Sequence, residues 1–189
     1  MNQQRLMFDQ VFAIWLVNEV GNPEEGNYLS VAEEKGFSSV VEWRLDMALK
    51  FKLNTKEWFL TEIADPAETL PRIVIGPFKG WSKFFDNKLE TTFEQALEIP
   101  EFYEWCVQHD RIPKIADHFP IPTTLILLRK PNGQLLHIEG GHRICAFSFA
   151  KKNGKAINAE ITAAIANITE DELTALKEII GSTDKYQPV

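Results

Sequence analysis

The stretch from Thr123 to Gly154, "TTLILLRKPNGQLLHIEGGHRICAFSFAKKNG", constrains what this chain can fold into more than any other. Two apolar runs, Thr123 to Arg129 and Leu135 to Glu139, flank "KPNGQ". An Asn-Gly pair between such runs is the strongest short-range signal for a β-hairpin. The second run then meets two glycines. From His142 to Asn153 the chain has helical length, and Gly154 stands where a left-handed residue commonly closes a helix. The predicted order is strand, turn, strand, glycine pair, helix, with Gly140 and Gly141 at the point where a strand feeds directly into a helix.

The flanking sequence extends this pattern into an α+β arrangement. "INAEITAAIA" alternates, with Ile157, Ile161 and Ile165 on one face and Asn158, Glu160 and Thr162 on the other, and predicts a strand. Thr169-x-x-Glu172 is a capping box for a last helix, "EDELTALKEII", followed by a polar tail. Upstream, "EWFLTEIA" and "PRIVIGPF" read as strands or extended segments, and Asp65-Pro66-x-Glu68 as a one-turn helix between them. Thr91-x-x-Glu94 opens a helical stretch that restarts at Pro100, placing Phe102, Trp105, Cys106 and His109 on one face. The first fifty or so residues read as helical. Leu6, Met7, Val11, Ile14, Trp15 and Asn18 follow a period near 3.6. "GNPEEGN" breaks that pattern, and boxes at Ser30-x-x-Glu33 and Ser39-x-x-Glu42 begin further helices. One domain is expected, with a helical extension over 1–52, a core over 53–168, and a C-terminal helix and tail over 169–189.

Charge and cysteine usage narrow the function classes. A net charge of −7 and a pI near 5.2 argue against a surface built to neutralise a phosphate backbone. Cys106 and Cys145 form no CxxC motif and lack further partners for a zinc site; Cys106 reads as a small core residue. The longest apolar run near the N-terminus, Val11 to Val17, is shorter than the about 20 residues a bilayer requires. The expectation is a cytosolic protein without membrane or nucleic-acid partners, its oligomeric state unspecified.

The glycine pair carries the chemistry. The first amides of a helix have no internal partners and lie at the positive end of its dipole, which suits them to an anion. Glycine at 140 and 141 permits a sharp turn and close approach to those amides. His142 and Arg143 add side-chain donors, and arginine can grip phosphate oxygens through two parallel hydrogen bonds. The apolar helix behind them, with Ile144, Cys145, Ala146, Phe147 and Phe149, would anchor that start in the core. The competing reading is a tight turn closed by an Arg143–Glu139 salt bridge.

These residues resemble the ParB/sulfiredoxin-like superfamily, whose signature sets an acidic residue or glycine, a glycine, a variable residue, His or Arg, and Arg at a strand-to-helix junction. The resemblance implies a small mixed sheet with packed helices over about Leu53 to Ile168, and nucleotide phosphates held at Gly140, Gly141, His142 and Arg143. Glu139 takes the acidic place, with a base or metal-linked role, and His142 a second catalytic candidacy. ATP, ADP or CTP with Mg²⁺ would be the cofactors, for a phosphotransferase or nucleotide hydrolase acting on a nucleotide or phosphorylated small molecule. Gly141 stands where sulfiredoxins carry their catalytic cysteine, so sulfinic acid reduction is not expected. Too few residues follow Ile168 for the helix-turn-helix of chromosome-partitioning relatives.

Three further expectations complete the reading. Lys79, Ser82 and Lys83 in "GPFKGWSKFF" are candidates for the opposite wall, with Trp81 stacking on a base. His137, Glu139 and His142 form an alternative two-histidine, one-carboxylate metal site, although no bound transition metal is expected. The alternative from another class is a non-catalytic regulatory or protein-interaction module that keeps the fold.

Overall fold

Leu125, Ile126, Leu127 and Leu128 are all inaccessible to solvent, and the sheet is built outward from this run. In a computed structural model the protein is described over residues 4–20, 28–85, 89–118, 123–155, 157 and 159–182, with the backbone alone at Val20, Lys79, Ser82 and 180–182. The element order begins with β1 (Gln4–Leu6), α1 (Phe8–Val20), α2 (Tyr28–Glu34), α3 (Val40–Lys50) and β2 (Trp58–Glu62). Short helices α4 (Pro66–Thr69), α5 (Lys79–Ser82) and α6 (Phe93–Ala96) precede α7 (Pro100–Gln108) and α8 (Ile112–Asp117). The hairpin β3 (Thr123–Arg129) and β4 (Leu135–Glu139) then leads into α9 (Gly141–Lys152), β5 (Ile161–Asn167) and α10 (Glu170–Ser182).

The sheet order is β1-β2-β5-β3-β4, with β5 parallel to β3 and the other pairs antiparallel. This is a mixed sheet in an α+β fold, as the sequence predicts for the class. β5 enters between β2 and β3, and its Ala163, Ala164, Ile165 and Ala166 are buried on both faces. That explains why the alternation expected from Ile157 onward is not a division between core and solvent. The strand begins only at Ile161, and Asn158 lies outside the described residues.

Local signals set the element ends. Asp65 accepts a hydrogen bond from the Glu68 amide with Pro66 in the first turn, and Thr169 and Glu172 form a reciprocal box. The box expected at Thr91 sits one residue on, between Thr92 and Gln95. At α3, Ser39 caps the Glu42 amide while the Glu42 carboxylate turns to Ser38. Ser30 is no cap, because α2 already starts at Tyr28. Leu6 belongs to the short edge strand β1 rather than to a helix. In "PRIVIGPF" the first residues form a tight helical turn, Leu70–Arg72. The rest runs extended beside β4: the Val74 amide donates to Leu135 O, and the His137 amide to Val74 O. "GNPEEGN" and the polar tail at 183–189 lie outside the described residues.

α1 buries Val11, Trp15 and Glu19, one helical turn apart, and packs across β3. α9 is held between α8 and the 70–72 turn, with Ile144, Cys145, Ala146, Phe147 and Ser148 inaccessible or nearly so. Cys106 of α7 and Cys145 of α9 are both free and buried, their sulfurs 3.5 Å apart. Among the described residues no helix is long and apolar enough to cross a membrane.

Candidate functional site

The β4-to-α9 junction forms because each glycine has a separate steric reason. Gly140 adopts φ +92°, and a Cβ there would stand 2.4 Å from Leu125 Cδ2. Gly141 lies against the ring of His137, whose Nε2 would be 2.6 Å from an added Cβ. Protein atoms thus fill the space that the sequence reading reserved for a ligand beside both Cα atoms. A bulge opposite Ile126 and Leu127, which pair with Glu139 and His137, shifts the register of β4 just before the turn and re-aims its end.

Arg143 and Glu139 meet as the competing sequence reading expected, Nη2 to Oε1 at 2.8 Å. α1 completes this pair. Asn18 Nδ2 donates to Glu139 Oε2 and to Thr124 O, and Asn18 Oδ1 accepts from Arg143 Nη1 at 3.2 Å. One amide therefore satisfies three groups and fixes the orientation of both charged side chains. Burial pushes the Glu139 carboxyl up to about 7; Arg143 opposes this, the nearby Glu19 carboxylate reinforces it, and the Asn18 and Gly140 N–H groups oppose it.

His137 is 2% exposed, and its Nδ1 accepts the Gly76 amide at 2.6 Å. Burial drives its pKa down to about 3, so the ring is neutral with its proton on Nε2, toward Gly141. His142 is half-buried, 5.2 Å from the Trp81 ring and 5.0 Å from His109. Burial, with the neighbouring His109 and Arg111, lowers its pKa to about 3. His109 is lowered too, first by burial and then by Arg111, and its Nδ1 accepts the Arg111 amide. Three imidazoles thus stand neutral around one space, two of them held as Nε2–H tautomers by backbone donors.

That space is a cavity of about 800 Å³. Residues 137–143 form one wall; α1, α2 and α3 add Trp15, Asn18, Glu19, Tyr28 and Arg44; Phe78, Trp81, Trp105, His109 and Arg111 close it. Arg44 grips Glu19 through Nη2–Oε1 at 2.6 Å and Nε–Oε2 at 2.7 Å, with Trp15 Nε1 donating to the same carboxylate and the Trp43 ring 3.9 Å from the guanidinium. Arg111 is half-buried, with Nη1 donating to the Tyr28 hydroxyl at 3.4 Å.

Of the predicted residues, Glu139, Gly140, Gly141, His142 and Arg143 line this cavity together with His137 and Trp81. Trp81 is 6% exposed and already packed on Phe93, Trp105 and His142, so it serves as wall and core at once. Lys83 is exposed over Phe84 and Trp105 and is not among the lining residues. The side chains of Lys79 and Ser82 lie outside what the structure describes. The metal alternative is not formed: among the described residues no three His, Cys, Asp or Glu side chains are placed to hold an ion. The His137 Nδ1 is committed to Gly76 and the Glu139 carboxylate to Arg143 and Asn18.

Sequence reasoning missed Asn18, Glu19, Arg44, His109 and Arg111 as cavity residues. A signal existed for the first two: Asn18 falls on the apolar period of α1, and Glu19 stands one turn after the buried Trp15. A polar residue at a core position needs a partner, and here the partners are Glu139, Arg143 and Arg44. Comparison of the chain with protein-family models, curated proteins and solved structures finds no match.

Proposed function

We propose that the cavity at the start of α9 binds a nucleotide or another phosphorylated small molecule, with its phosphate toward Arg143 and Arg111 and its remaining surface toward the aromatic wall. The observation that carries this reading is convergence. The GxHR-type junction, two half-buried arginines and the neutral imidazoles of His109, His137 and His142 all line one space of about 800 Å³, within the roughly 300–1,000 Å³ usual for small-molecule sites. Neutral imidazoles suit the task because they donate without adding a charge that must be desolvated. The likeness of "EGGHR" to the ParB/sulfiredoxin-like signature supports the same ligand class.

The Mg²⁺ that this likeness implies finds a poor donor set. Mg²⁺ in such sites uses one or two carboxylates together with substrate phosphates. Here Glu19 and Glu139 are each held by an arginine, and Asp110 is exposed. This donor set does not support phosphoryl transfer, and Glu139 and His142 act as binding-site groups. A second reading, the interaction module, is favoured by Val41, Leu45 and Leu49, which form an exposed apolar stripe along α3 at 45%, 37% and 46% exposure.

A thermal-shift panel of ATP, ADP, CTP and phosphate, each with and without Mg²⁺, decides between them. A ligand at about 100 times its dissociation constant adds roughly 2.7 kcal/mol. At about 2 to 4 °C per kcal/mol for a chain of this size, the native protein should shift by about 5 to 10 °C. Arg111→Gln should reduce the shift without disturbing the Glu139–Arg143–Asn18 cluster. No shift with any nucleotide refutes the binding reading and leaves the α3 stripe as the feature to pursue.

A further inference from the structure

We propose that Glu139 is the resident anion of this site, competing with the ligand's phosphate for Arg143 and the Gly140 amide that precedes α9, so that binding displaces it. The inference rests on the nucleotide-binding reading and adds a built-in competitor to it. Its basis is geometric. The donors assigned to a phosphate are the donors Glu139 uses: Arg143 Nη2 at 2.8 Å and the Gly140 amide, with Asn18 Nδ2 on the other oxygen.

A second observation points to a ligand at the same place. His137 is 2% exposed, its Nδ1 is committed to Gly76, and its Nε2–H is directed at Gly141, where no hydrogen bond among the described residues uses it. His137 and Arg143 line the same cavity, so an anion held there by Arg143 would supply this donor with an acceptor.

The two carboxylates of the cavity differ in how exchangeable they are. Glu19 is held by both oxygens to Arg44, whose side chain is 3% exposed, and by Trp15 as well. Arg143 is 18% exposed, makes a single bond to Glu139, and has Asn18 to hold its other terminal nitrogen in place when the carboxylate leaves. Glu139 is the partner that can exchange.

Protonation would remove the competitor's charge. The groups that act on Glu139 are Arg143 from α9, the Gly140 amide at its N-cap, and Asn18 and Glu19 from α1, with Arg44 holding Glu19; His137 and His142 line the same cavity. Of these, His137 and His142 are neutral well above pH 3, as burial requires. Burial and Glu19 hold the Glu139 carboxyl near 7, so it is the group that changes charge between pH 6 and 8.5.

The test compares the native chain with Glu139→Gln, using sulfate, which stays dianionic throughout, and ATP, at pH 6 and pH 8.5 by calorimetry. Glutamine keeps the shape and removes the charge. At pH 8.5 the variant should bind both probes about tenfold tighter than the native chain, equivalent to about 1.4 kcal/mol; at pH 6 the two should converge. Equal or weaker binding by Glu139→Gln at pH 8.5 overturns the inference while leaving the site reading intact. Absence of binding by both proteins at both pH values overturns the site reading as well. Should Glu139→Gln fail to fold, sulfate binding to the native chain must weaken about fivefold between pH 7 and 8 once proton uptake is required, and a flat profile refutes the competition.

Discussion

Replacing Gly140 with alanine separates two costs that act together at the β4–α9 junction. The first is backbone: at φ +92° an L-residue is strained, and the left-handed region costs roughly 1–2 kcal/mol. The second is packing. The new Cβ would stand 2.4 Å from Leu125 Cδ2, on a side chain that is wholly buried in β3 and has no solvent into which to retreat. Overfilling of this kind costs typically about 1–3 kcal/mol. The expected loss is therefore about 2–5 kcal/mol in equilibrium urea unfolding followed by circular dichroism. Leu125→Ala dissects the sum. Alone it should cost about 2–5 kcal/mol as a core truncation. In its background Gly140→Ala should cost only the backbone part, about 1–2 kcal/mol, so the double-mutant cycle shows a coupling of about 1–3 kcal/mol. A Gly140→Ala protein within about 0.5 kcal/mol of native, or a cycle without coupling, would refute the steric account of this glycine.

Two further outcomes follow from the buried charges. Glu139 in the native chain holds a proton up to about pH 7, whereas the unfolded chain releases it near 4.5. Native protein thus binds more protons in that window, stability falls as pH rises from about 4.5 to 7, and the loss is on the order of 3 kcal/mol. Glu139→Gln should flatten this part of the stability profile, and an unchanged slope would count against the raised pKa. Arg44→Ala leaves Glu19 buried without its partner and should cost about 3–5 kcal/mol in the same urea assay. A loss under about 1 kcal/mol would place that pair at the solvent-screened surface instead.

How much of this was legible in the sequence depended on the range of the interaction. The β3–β4 hairpin, the start of α9 at the glycine pair, and the caps at Asp65 and Thr169 were readable because each is set by residues a few positions apart. The box at Thr92 was missed by one residue because Thr91 and Thr92 offer the same hydroxyl, and only the fit of α6 against the core distinguishes them. The residues of "EGGHR" do line one cavity together, but the reason for the glycines is not in the pattern. The atoms that require them belong to Leu125 and His137, which periodicity cannot place beside them.

The sequence by itself determined the elements whose causes are local: turn chemistry, helix ends, and a strand meeting a helix through two glycines. Tertiary structure alone decided that β5 enters between β2 and β3, and that the N-terminal helices form a wall of the cavity rather than an appendage. It also decided that His137 answers to Gly76, 61 residues away, and Glu139 to Asn18, 121 residues away. The physical reason is common to all of these. Burial makes an unpaired polar group costly, so each one selects a partner by position in space, and a linear pattern of hydrophobic spacing carries no information about which distant residue that will be.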